Sequence, residues 1–193
     1  MADTFETLTA VDALARFGER SLSPETLVDD CLARIERDNP KVNAFTCVNS
    51  KEARRLAAES ARRWQAGTPC GPLDGIPVTI KDLTLTKGLP TRLGSTTTRP
   101  DGPWEVDAPI SRHLRNAGAI VIGKTTSPEF GWKGVTDNPL HGITRNPWNT
   151  DLTPGDHPAA PGLPLHLTLA CFTRAATRGL YSHPMQLHWY LWY

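Results

Sequence analysis

The sequence predicts an α/β fold, and two observations carry that reading. Stretches with apolar residues at helical spacing alternate along the chain with short β-branched runs that are apolar almost throughout. A buried strand covered on both faces reads as such a continuous run rather than as an alternation. Size agrees, since 193 residues with 39% hydrophobic content suffice for one substantial core.

The first helix expected is ETLVDDCLARIERDN, in which Leu27, Cys31 and Ile35 recur on one face. Ser23 supplies its N-cap, Pro24 occupies the first helical position and Pro40 ends it. A second helix, from Lys51 to Gln65, is rich in Ala, Arg and Glu, and Gly67 stops it. Gly71-Pro72-Leu73-Asp74-Gly75 is a turn cluster, and Ile76-Pro77-Val78-Thr79-Ile80 is a strand that ends in Lys81-Asp82. Asp107-Ala108-Pro109 caps a helix through Ala117, and residues 119–124 form a buried strand. Residues 146–155 are a turn-rich loop. From Asp156 the character changes: the tail has no period and crowds Pro and His with Trp and Tyr.

Composition excludes several classes. With 21 basic against 20 acidic residues and no basic block, no nucleic-acid footprint is present. The amino terminus has no apolar run of secretory or membrane-spanning length, so a cytoplasmic location is the default and no membrane partner is expected. Cys31, Cys47, Cys70 and Cys171 lack any zinc or disulfide-framework spacing and read as ordinary thiols. The six histidines likewise lack ligand spacing. Trp104, Trp132 and Trp148 read as core or loop-anchoring aromatics.

Three segments then stand out in order: GPLDGIPVTIKDL, DAPISRHLRNAGAIVIGKTTSPEFGW and GITRNPWNTDLTPG. Together they closely resemble the amidase signature family over roughly residues 5 to 155. The resemblance implies an incomplete amidase-signature fold, a mixed sheet covered by helices, of which residues 1–155 are the N-terminal part. In that family the lysine of the P-V-x-I-K-D segment belongs to a Ser-cisSer-Lys triad, and the matching residue is Lys81.

The chemistry gives such a lysine its purpose. A hydroxyl is a poor nucleophile until a base takes its proton, and an amine serves as that base only when burial pulls its pKa far below about 10.4. The resemblance implies that the proton passes from the nucleophilic serine through a second serine to the lysine, while backbone amides of a glycine-rich loop hold the oxyanion. Without the flanking motifs Lys81 would read as a solvated strand-end lysine beside Asp82, to which no catalytic role is assigned.

After T-P-G the family continues with Gly-Ser-Ser-Gly-Gly, where this chain has Asp156-His157-Pro158-Ala159-Ala160-Pro161. Restoring a single G before the Asp156 codon lets the same bases read Gly-Gly-Ser-Ser-Gly-Gly-Ala, the missing loop. A second restored base near Gly179 lets the remainder, through the nearly fixed codons of Met185, Trp189 and Trp192, resemble the family's nucleophile segment G-G-S-I-R-x-P. Residues 156–193 therefore read as an out-of-frame tail without a packed structure. Ser95, Ser111 and Ser127 do not occupy the serine positions, so the chain as written is expected to be inactive.

For the intact parent the resemblance implies hydrolysis of a small-molecule amide to acid plus ammonia or amine, with no metal or organic cofactor and with a homodimer left open. Two other readings stand beside it. One is the glutaminase component of a tRNA-dependent amidotransferase, which acts on glutamine together with a partner protein. The other is a non-enzymatic interaction protein that docks through its Trp/Tyr-rich tail.

Overall fold

The structure, a computed structural model, describes residues 8–154. The expectations about the tail, including its frame and its lack of packing, lie outside the described residues.

Helix α1 (Ala10–Gly18) opens the description, and sequence reading missed it. Its signal was present: Thr9 Oγ1 accepts the Asp12 amide while the Asp12 carboxylate accepts the Thr9 amide, a reciprocal capping box. Helix α2 (Pro24–Val42) begins as expected, with Ser23 Oγ accepting the Glu25 amide and Pro24 in the first turn. It does not stop at Pro40. Proline costs a helix one amide and a clash one turn back, yet the chain continues to Val42 because Asn39 takes over. Asn39 Oδ1 accepts the amides of Ala44 and Phe45 at 2.7 and 2.9 Å, and Asn43 closes the helix in the left-handed conformation.

That bend delivers strand β1 (Phe45–Val48), another element without a clear sequence signal. Helix α3 (Ser50–Ala66) matches expectation to within a residue at each end, with Gly67 closing it at φ 70°. Strand β2 (Pro77–Lys81) ends on Lys81, as the β-branched run predicts. Helix α4 (Pro109–Asn116) forms where expected, but Asp107 does not cap it. The N-cap is Ala108, without a side-chain bond, and Asp107 Oδ1 instead accepts the Lys87 amide at 2.7 Å. Strand β3 (Ile120–Thr125) follows, buried at every residue, and a small hairpin of β4 (Asp137–Asn138) and β5 (Gly142–Ile143) comes last.

The main sheet has the order β1-β3-β2, with β2 parallel and β1 antiparallel to β3, so it is mixed. Burial of Ile76, Val78 and Ile80 from β2 and its entry, against Ile120, Val121 and Ile122, forms the sheet half of the core. Leu27, Val28, Cys31 and Ile35 of α2 and Ala53 and Ala57 of α3 supply the helical half. Gly123 is required in β3, because a Cβ there would lie 2.5 Å from the Cys47 carbonyl oxygen of β1. Trp132 and Trp148, expected to be core or anchoring side chains, are exposed.

Candidate active site at the carboxyl end of the Lys81 strand

Lys81 is the last residue of β2 and pairs in register with Thr125, while Ile80 pairs with Lys124. Side chains alternate across a strand, so Lys81 and Lys124 belong to opposite faces of the sheet. Lys81 is half-buried; Lys124 is fully buried. The site therefore sits at the carboxyl ends of two parallel strands, where open α/β sheets place their ligands.

Two buried charges fix the chain just beyond Lys81. Asp82, expected at most to neighbour the base or cap a turn, is buried and reaches forward instead. Its Oδ1 accepts the Arg92 amide at 2.9 Å and its Oδ2 accepts the Gly94 amide at 3.0 Å. Its own amide donates to Thr125 O at 2.9 Å, extending the β2–β3 ladder one residue past the strand. The loop it grips turns through Leu93 and Gly94, both with positive φ. A Cβ on Gly94 would lie 2.9 Å from Ser127 O, so glycine also lets the loop approach the end of β3.

Lys124 holds the near side of the same loop. Its Nζ donates to Thr84 O at 2.6 Å, to Thr91 Oγ1 at 2.7 Å and to Thr86 Oγ1 at 3.4 Å. Burial pulls its ammonium from the ordinary 10.5 to about 8, against the stabilising charge of the Asp82 carboxylate. With three acceptors around Nζ and no exposure, Lys124 is a buried fastener rather than a base open to a substrate. Sequence reading did not single it out, although a lysine inside the apolar run AIVIGKTT was the available signal.

Beyond β3, Asn138 joins the segments: its Nδ2 donates to Ser127 O at 2.8 Å and its Oδ1 accepts the His141 amide at 2.6 Å. Thr126 and Thr144 hydroxyls meet at 2.7 Å nearby. The serines that lie outside the family positions have other tasks: Ser111 Oγ donates to Leu85 O at 2.7 Å, and Ser95 Oγ donates to Glu129 Oε1 at 2.7 Å. The Ser127 hydroxyl is buried without a hydrogen-bond partner among the described residues. Among those residues no His, Cys, Asp and Glu group is placed to hold a metal ion, and no helix is long and apolar enough to cross a membrane.

The model of the family described as Amidase matches residues 26–156. The chain belongs to the amidase signature family. It is 40% identical over 143 residues to an acylamidase of Rhodococcus erythropolis, a match covering 73% of this chain and 29% of that protein. It is 41% identical over 147 residues to an indoleacetamide hydrolase of Bradyrhizobium diazoefficiens, covering 76% of this chain and 28% of that one. The glutaminase-type relative is the glutamyl-tRNA(Gln) amidotransferase A chain of Nitratidesulfovibrio vulgaris, 41% identical over 146 residues, covering 75% of this chain and 28% of its own length. The solved structure of a bacterial aryl acylamidase of the family superposes with a TM-score of 0.69 at 31% identity, over 78% of this chain and 31% of its own. The family's mixed α/β architecture is thus present here, and the chain spans less than a third of the length of the curated relatives it matches.

Proposed function

We propose that this chain is the front of an amide hydrolase in which Lys81 is the general base of a serine–serine–lysine relay. The observation that carries the reading is the position of Lys81 at the carboxyl end of β2, immediately before a loop gripped by Asp82 and Lys124. A general base works only if its nitrogen is held within hydrogen-bond reach of the hydroxyl it serves, and anchoring the following loop on the opposite face leaves the Lys81 face for that purpose. Half-burial alone does not bring an ammonium to neutrality near pH 7, so the rest of its enclosure has to come from the part of the fold that follows.

In the complete enzyme the serine attacks the amide carbonyl, its proton passes to Lys81, ammonia or an amine leaves, and water releases the acid from the acyl-enzyme. The polypeptide as written encodes neither serine of that relay after Gly155. Genomic sequence across the Gly155 and Gly179 codons decides whether bases have been lost. The purified 193-residue chain should give no hydrolysis of an aryl amide, whereas a frame-restored gene should give an active enzyme that Lys81→Ala abolishes. Lys81-dependent activity in the unrestored chain would refute the assignment of the tail.

The resemblance to the amidotransferase chain is as close in identity as that to the acylamidase, which supports glutamine as a second substrate class. A glutaminase assay on the restored enzyme, with and without partner proteins, separates the two. A docking role for the tail would be favoured if removal of residues 156–193 abolished partner binding without improving solubility.

A further inference from the structure

We infer that the segment 127–152, together with the outer edge of β2, is a docking surface for the carboxyl-terminal portion of an amidase-family chain, and that this polypeptide can be completed in trans. The inference rests on the reading that the chain is the front of a longer fold. Three observations support it. Phe130, Trp132, Ile143, Trp148 and Leu152 are 54, 75, 49, 77 and 55% exposed, a concentration of large apolar side chains that a finished surface avoids. On the same segment, Ser127 Oγ and His141 Nε2 are buried without hydrogen-bond partners among the described residues, on either side of the Asn138 hub. Buried polar atoms left unpaired are costly, so these two mark where donors and acceptors from another chain segment belong. Finally, β2 pairs only with β3 among the described strands, so its other edge presents backbone groups to which a further strand adds.

The match to the family identifies the occupant. It ends at residue 156, directly beyond this segment, and the acylamidase relative has about 70% of its length unmatched by this chain. The apolar side chains, the orphan polar atoms and the open edge all lie where that remainder would begin.

The test co-expresses the full 193-residue chain with the portion of the Rhodococcus erythropolis acylamidase that follows the position matching Pro154, a piece without the lysine segment. The two should co-purify as a one-to-one complex. Trp132→Asp combined with Trp148→Asp should weaken co-purification by about tenfold or more, as loss of exposed aromatic anchors does, while Val11→Asp on α1 should leave it unchanged. Circular dichroism of the variant alone verifies that the fold persists. Absence of a complex, or a double variant that binds like the parent, overturns the inference. Self-association of the chain alone that the double variant abolishes also overturns it, by placing a second copy on this surface. Amide hydrolysis by the complex that Lys81→Ala removes supports both readings; a complex without hydrolysis sustains the docking surface and counts against Lys81 as the base.

Discussion

Asp82 Oδ2 accepts the backbone amide of Gly94 at 3.0 Å, across twelve residues of chain and with both groups buried. With the companion bond to the Arg92 amide, this makes a carboxylate one residue beyond the strand the anchor of the loop that follows Lys81. Hydrogen bonds to a charged acceptor are stronger than neutral ones, and the carboxylate also offsets the buried ammonium of Lys124.

Asp82→Asn keeps the shape but replaces one acceptor oxygen with a donor facing an amide. It should lower unfolding free energy by about 2 kcal/mol, read as a shift in the urea midpoint at unchanged slope. A neutral result would show that the loop is held mainly from the Lys124 side.

Lys124 predicts a pH dependence whose sign follows from its lowered pKa of about 8 against 10.5 unfolded. Between those values the unfolded chain binds more protons, so stability rises with pH through that window and is reduced below it. Lys124→Met removes the titration. The stability difference between parent and variant should move in the parent's favour by about 2–3 kcal/mol from pH 7 to pH 10 in urea titrations. Parallel curves would mean that the ammonium is better solvated than the geometry implies.

Burial holds His141 below its ordinary 6.5, with Asp82 opposing and Arg92 assisting. The unfolded chain again binds the extra proton, so stability present above pH 6.5 is lost as the pH falls toward the folded value. His141→Gln should flatten the decline in thermal midpoint between about pH 7 and pH 5. An unchanged acid slope would assign that decline to other groups.

Gly123→Ala would drive a methyl group to 2.5 Å from the Cys47 carbonyl oxygen, a backbone atom with no rotamer to yield. Destabilisation of about 2 kcal/mol or more is expected, with β1 amides losing hydrogen-exchange protection ahead of β2. Equal loss in both strands would argue against a clash confined to the β1–β3 pair.

The chain by itself determined much of this. Helices α2, α3 and α4 and strands β2 and β3 follow from periodicity, from proline and glycine at their ends and from β-branched runs, and Lys81 was legible because its motif is contiguous. Strand β1 was not legible, because its four residues, FTCV, carry little pattern and its existence depends on Asn39 turning the chain after α2. The end of α2 at Val42 and the absence of an Asp107 cap have the same origin: each side chain found a partner that local sequence does not specify.

Tertiary structure alone decided that Lys124 is enclosed while Lys81 sits on the other face, that Asp82 grips a distant loop, and that Trp132 and Trp148 are exposed. Burial and long-range hydrogen bonds depend on which strands become neighbours, and a lysine in an apolar run looks the same in sequence whether it ends in solvent or among three threonines. Local patterning therefore set the elements, and the pairing of β2 with β3 set the chemistry of the site.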